Sequence, residues 1–140
     1  MLILAARNMS DLPDMSQRAF YRLLGLEIRE AAGGLSLIVL PPNAETTNSR
    51  GEVHGGVQVT LLDAALINAA RSTAGPGAGA MTVSITTNFL APARGELRAH
   101  GRVVRAGRSL VTAEASLLDA AGEVVAQALG TLRVTRPASG

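Results

Sequence analysis

From Gly55 to about Thr73 the chain carries Ala, Leu, Val and Ile on nearly every face of a would-be helix. A helix with one apolar stripe lies on a surface, whereas one that is apolar most of the way round has to be enclosed. The flanking segments supply the enclosure. Upstream, Leu26 to Glu30, a turn at Ala32-Gly33-Gly34 and the apolar run Leu35 to Leu40, closed by Pro41-Pro42, read as a hairpin. Downstream, four strands are expected at about residues 80–90, 96–105, 109–118 and 123–135. Arg105-Ala106-Gly107-Arg108 and Asp119-Ala120-Ala121-Gly122 are turn signals joining antiparallel neighbours. The first of the four alternates, with Met81, Val83, Ile85, Thr87 and Phe89 expected on one face. The simplest packing is α+β, a roughly six-stranded antiparallel sheet wrapped around one long central helix.

The remaining segments fit one domain. Residues 1–13 read as an N-terminal lead-in. Asp14 is placed to cap a first helix through Met15, Ala19, Phe20, Leu23 and Leu24, which Gly25 ends. A single domain over residues 14–140 follows, and a chain of 140 residues can hide roughly 70% of its unfolded surface.

Composition removes several functions. Aromatic residues make up 2% of the chain, too few for the stacking platforms of single-strand nucleic-acid binders. Every basic residue is Arg, yet the net charge is only +2, so no electrostatic funnel for nucleic acid is built. Cysteine is absent, which excludes disulfides, thiolate metal sites and Cys nucleophiles. The two histidines, His54 and His100, are too far apart in sequence to suggest a zinc site, and no metal or redox cofactor is implied. The apolar start Met1–Ala6 is too short for a signal peptide, and no run is long enough to span a membrane. A soluble, cytoplasmic protein is expected.

The chemistry gathers around the start of the long helix. Gly55 and Gly56 present a helix N-terminus without Cβ atoms, where free N–H groups suit an oxyanion or a polarised carbonyl. The same glycines would also serve a tight turn and close helix–sheet packing. Asp63 is the only acid between Glu52 and Glu96, on a helix otherwise fit for burial. A buried carboxylate without a partner is expensive, so Asp63 either meets solvent or a hydrogen-bond donor, or is held for chemistry.

Asn48, His54-Gly55-Gly56 six residues later and Asp63 nine residues after the His resemble the hotdog-fold acyl-CoA thioesterases of the phenylacetate-pathway (PaaI-like) type. The run Thr82 to Pro92 resembles that family's strand ending in an aromatic, an apolar residue and x-Pro, and Arg105-Ala106-Gly107-Arg108 its basic turn. The resemblance covers roughly residues 20 to 135. It implies a hotdog fold and hydrolysis of an acyl-CoA thioester. Gly55 N–H, with Gly56 N–H, would polarise the carbonyl, and Asp63 would act as general base or as nucleophile. Asn48 would orient water or thioester, His54 would hold the loop and Asn48, and Thr82 would bind the attacking water. Arg105, Gly107, Arg108 and Arg133 would serve the CoA half, or the arginines would simply be solvated charges. A non-catalytic acyl-CoA-binding module and a hotdog hydratase or dehydratase are the competing functions.

Spacing adds one expectation about assembly. Gly55 and Asp63 are eight residues apart, about 12 Å along one helix. Oxyanion donors must sit about 3 Å from the reacting oxygen, with the base within one water of the same carbon. One helix cannot meet both demands, but two antiparallel helices across a two-fold axis can. At least a homodimer is expected, and the family resemblance suggests a tetramer.

Overall fold

The structure, a computed structural model, describes residues 19–136. Its elements are α1 (Ala19–Leu24), β1 (Glu27–Ala32), β2 (Leu35–Leu40), a 3-10 turn at Ala44–Thr46, α2 (Gly55–Arg71), β3 (Gly79–Phe89), β4 (Leu97–Ala106), β5 (Leu110–Leu118) and β6 (Val124–Thr135). The first helix is seen from Ala19 and stops where Gly25 takes φ +79°, a value that suits glycine. The expected Asp14 cap, Met15 and the boundary between residues 13 and 14 lie outside the described residues.

All six strands form one antiparallel sheet in the order β1-β2-β4-β5-β6-β3. The β1–β2 turn is tight because Gly33 and Gly34 both take positive φ, 60° and 82°, as a type I′ turn requires. The sheet curls around α2, whose Leu61, Leu62, Ala64, Ala65, Leu66 and Ala70 are wholly buried in one cluster with Ile38, Leu97, Ala99, Leu117 and Leu132. Burying each such leucine is worth about 1.5–3 kcal/mol. Gly101 marks the closest approach of helix and sheet: a Cβ there would collide with the Ala65 carbonyl oxygen and the Ser36 hydroxyl. That hydroxyl donates to the Ala65 carbonyl at 2.6 Å, which fixes the helix over β2 and β4. At the other end of α2, buried Arg71 donates to the Ala78 carbonyl at 2.9 Å and to Asn68 Oδ1 at 3.3 Å. A cation there complements the helix dipole and draws the chain back toward β3.

Two features depart from the expected pattern. First, the sheet does not enclose α2 on every side. Gly56, Thr60, Asp63 and Ile67, one stripe of the helix, remain partly open in the single chain. Second, β3 does not alternate cleanly. Its register against β6 shifts between Thr82 and Ser84, leaving Val83 as an extra residue. Such a bulge reverses side-chain parity. Thr82 therefore shares the helix-facing side with Ile85, Thr87 and Phe89, while Met81 and Val83 stand outside it, each 60% exposed. β3 is also an edge strand, with one side of its ladder unpaired among the described residues.

Candidate active site

The polar stretch before α2 is shaped by Asn48. Its backbone N–H donates to the Glu52 carbonyl at 2.8 Å, and its Oδ1 accepts from Arg50 N–H at 2.9 Å and Glu52 N–H at 3.1 Å. Gly51, at φ +74°, closes this turn. The Asn48 oxygen is thus committed within its own loop. The Arg50 guanidinium, hydrogen-bonded to Glu52 at 2.9 Å, holds that carboxyl below its usual range, with Arg94 and the Asn48 amide adding to the effect. A short bridge between Thr47 and Val53 and a bond from Val53 N–H to the Ala93 carbonyl seat the loop beside the chain that follows β3.

His54 enters the helix through its backbone. Its N–H donates to the Thr46 carbonyl at 3.0 Å, and its own carbonyl accepts from Gln58 N–H at 3.0 Å. Its ring is exposed and makes no hydrogen bond among the described residues, so the loop is held by Asn48 and by backbone bonds rather than by the imidazole. With no capping side chain at His54, the first N–H groups of α2 have no partner within the helix. A Cβ at Gly55 would rest 3.4 Å from the Phe89 ring, whereas one at Gly56 would meet nothing within 4 Å. A cleft of about 430 Å³ opens here, lined by Asn48, Glu52, Val53, His54, Gly55, Gln58 and the segment Phe89 to Ala93.

Asp63 lies farther along the same helix, on the stripe that the sheet leaves open. Its Oδ1 accepts a hydrogen bond from Thr82 Oγ1 at 2.5 Å. The Val83 bulge makes this contact possible by turning Thr82 toward the helix. The hydroxyl that donates to Asp63 keeps its lone pairs, so it can also accept a hydrogen bond from a water. Asp63 therefore has both a hydrogen-bond donor and an opening, so it escapes the cost of unpaired burial.

The β4–β5 turn is closed by Gly107 N–H donating to the Leu110 carbonyl at 2.8 Å; a Cβ at Gly107 would lie 2.8 Å from that oxygen. Arg105, Arg108 and Arg133 are exposed and make no ion pair among the described residues. Arg29, Arg50, Arg94, Arg98 and Arg102 are each paired with a glutamate. In the ladder, Leu110 pairs with Arg133 and Arg133 with Met81, next to Thr82. The arginine-rich turn thus belongs to the Asp63 end of β3, and Gly55 belongs to the Phe89 end. One chain does not bring Gly55 and Asp63 together.

Sequence reasoning gave no role to Tyr21 or Gln58. Tyr21, 8% exposed, has its phenol pKa raised, chiefly by burial and then by the charge of Asp63, with Arg71 opposing. Gln58 is a polar residue on the enclosed side of α2, one turn beyond Gly55, and that position was the available signal. His100, to which no role was given, lies on the outer face of β4 opposite Leu37 and Ser116.

Comparisons with known proteins converge on one family. The family described as the Thioesterase superfamily matches residues 50–126, over half of the chain. A protein of Halobacterium salinarum named as an esterase is 35% identical over 124 residues, covering 81% of this chain and 82% of its own. The crystal structure of a thioesterase family protein from Silicibacter pomeroyi has a TM-score of 0.83 at 28% identity, covering 94% of this chain and 98% of that one. The PaaI protein of the E. coli phenylacetic acid degradation operon shares the fold, with a TM-score of 0.77 at 23% identity over 92% of this chain and 89% of its own. The hotdog architecture expected from the sequence is the one observed. Among the described residues, no helix is long and apolar enough to cross a membrane.

Proposed function

The chain belongs to the thioesterase superfamily, and on that premise we propose that it hydrolyses acyl-CoA thioesters to the free acid and CoA. One observation carries the reading: the bulge in β3 that hands the Thr82 hydroxyl to Asp63 on the open stripe of α2, the helix that begins with the free N–H groups at Gly55. Donors aimed at a developing oxyanion together with a positioned carboxylate are what thioester hydrolysis needs.

In this reading Gly55 N–H, with Gly56 N–H beside it, binds the thioester oxygen and polarises the carbonyl. Asp63 takes a proton from water as that water attacks the carbonyl carbon, or attacks the carbon itself to give an anhydride that water then opens. Either route expels CoA thiolate, and the same placement of Asp63 serves both. Thr82 holds Asp63 and accepts from the attacking water. The Asn48 amide group and His54 edge the cleft at the oxyanion end. Arg105 and Arg108, on either side of Gly107, and Arg133 offer unpaired cations to the CoA phosphates.

Because Gly55 and Asp63 stand at opposite ends of β3, the working site is made by two chains. The unpaired β3 edge, with exposed Met81 and Val83, and the open stripe of α2 support antiparallel pairing of two copies. Each Asp63 then faces the partner's Gly55. Further pairing gives the tetramer that the family resemblance suggests.

The test is hydrolysis of a panel of acyl-CoAs followed with a thiol reagent. Asp63→Asn should lower kcat by ~10²–10⁴ with the fold retained. Gly55→Pro, which removes a donor at a position where a helix tolerates proline, should also be inactive. Mixed and allowed to exchange, the two inactive variants should regain activity, because half of the sites in a heterodimer are intact. Tight binding of acyl-CoA without turnover would establish the binding-module alternative. Full activity in Asp63→Asn, or in a monomer, would end this reading.

A further inference from the structure

Gln58 carries a buried polar atom that the fold does not explain. The residue is 6% exposed, and its Nε2 donates to the Val53 carbonyl at 2.9 Å. A carbonyl only accepts, so this bond fixes which way the amide faces. The other end, Oε1, is buried with no hydrogen-bond partner. A buried acceptor left unpaired is costly, and such groups are rare in native structures. An aliphatic side chain would fill the same space without that cost.

Its position suggests what the acceptor is for. Gln58 stands three residues beyond Gly55, about one turn or 4.5 Å of rise. Helical side chains lean toward the N-terminus, and the bond to Val53 carries the amide back to the level of the helix start. It is thus beside the N–H groups at Gly55, on the wall of the cleft formed by Phe89, Leu90 and Pro92. Two independent features therefore meet at one place: unpaired donors at a helix start and an unpaired buried acceptor.

Building on the hydrolase reading above, we propose that Gln58 is a substrate-binding residue whose Oε1 accepts a hydrogen bond from the amide N–H nearest the sulfur in the thiol half of a CoA-type thioester. The unpaired atom is a neutral amide oxygen, which asks for a hydrogen-bond donor, and the one carboxylate on the cleft wall, Glu52, is already paired with Arg50 and Arg94. In a thioester of this class the nearest amide nitrogen is separated from the reacting carbon by sulfur and two methylene carbons. That reach is of the same order as the rise from Gly55 to Gln58. An oxyanion bound at Gly55 and an amide bound at Gln58 hold the reacting carbon from two sides. Thiol esters lacking this amide leave the acceptor unpaired and are discriminated against.

The experiment compares three small thioesters of one acyl group on the full-length protein: the N-acetylcysteamine thioester, its analogue with oxygen in place of the N–H, and its N-methyl analogue. Wild type should prefer the N–H substrate by ~10-fold or more in kcat/KM over both others. Gln58→Met should erase that preference while leaving the rates on the two N–H-free substrates close to wild type. Where Gln58→Met does not fold, Gln58→Asn, which withdraws the oxygen by one methylene, takes its place. No preference in wild type, or an undiminished preference in the variant, would overturn the proposal. A uniform loss on all three substrates would overturn it too, since that outcome marks a trapped water or a purely structural amide. If wild type hydrolyses none of the thioesters, the functional reading fails separately. Dissociation constants for the three corresponding thioethers then decide the Gln58 contact by the same ratios.

Discussion

Replacing Thr82 with Val deletes one hydroxyl and keeps the β-branched shape that a strand accepts. The deleted group is the donor that meets Asp63 Oδ1 at 2.5 Å. A hydrogen bond to a charged group contributes about 1.5–3 kcal/mol when well enclosed. Thr82 and Asp63 are both partly exposed, so solvent takes a share and about 1–2 kcal/mol remains. At about 1.4 kcal/mol per factor of ten, that is a ~5–30-fold loss. The loss should fall on kcat, because the proposed role puts Asp63 at the reacting carbon and the CoA half elsewhere. Steady-state kinetics on an acyl-CoA, run beside thermal melts, separates this from unfolding: the same about 1–2 kcal/mol lowers Tm by several degrees and leaves the chain folded at an assay temperature well below it. Thr82→Ser restores the hydroxyl and should recover most of the rate. A Val variant with wild-type kcat, a Ser variant no better than Val, or a loss carried wholly by KM would refute the role given to this hydrogen bond.

Other outcomes follow from the same geometry. Arg105→Ala combined with Arg108→Ala should raise KM for CoA thioesters ~3–10-fold and leave a short non-CoA thioester unaffected, as kinetics on both substrates would register. Gly101→Ala forces a Cβ onto the Ala65 carbonyl, which is backbone and cannot rotate away; denaturant titration should find a loss of about 1–3 kcal/mol or more. Tyr21 governs the alkaline limb of stability. Its raised pKa favours the neutral phenol in the folded chain, so its contribution is intact below the ordinary value of about 10 and drains away as pH climbs toward the folded value, at up to about 1.4 kcal/mol per pH unit. The chain has no lysine, no cysteine and a single tyrosine, so Tyr21→Phe should flatten the dependence of unfolding free energy on pH above about 10.

Much of this could be read from the amino acids. The all-round apolar helix, the alternation in the strands and the glycine and aspartate turns led to six antiparallel strands around α2, because these signals are local and repeat over many residues. Gly55, Gly56 and Asp63 stood out from the residues themselves, whereas Asn48 and Thr82 entered through the family resemblance. The side of β3 on which Thr82 lies was not. A single inserted residue reverses parity, and nothing in the run Met81-Thr82-Val83-Ser84 distinguishes a bulge from clean alternation. Nor was the unpaired oxygen of Gln58 legible, since satisfaction of a buried amide depends on tertiary neighbours. Asn48 illustrates the same limit: the resemblance implied an amide that orients water or thioester, but its oxygen is taken up by the Arg50 and Glu52 N–H groups of its own turn.

The bulge and the open stripe of α2 bear on one another. Were β3 to alternate without interruption, Thr82 would point away from the helix, and Asp63 would lose its donor on a stripe that a second chain is proposed to cover. A carboxylate covered there with no donor would be strongly disfavoured. The bulge sits on the edge strand, where an extra residue disturbs one ladder only, that with β6. It also leaves Val83 projecting from that edge beside Met81. Exposed apolar residues on an unpaired strand are an aggregation hazard unless something pairs with them. The second copy proposed above, in antiparallel register, would remove the hazard, cover the stripe and bring a Gly55 to each Asp63. Local strand geometry, the Asp63 hydrogen bond and the proposed two-chain site thus depend on the same inserted residue. Deleting Val83 should therefore impair catalysis and dimerisation together, whereas a bulge with only a local packing role would leave both intact.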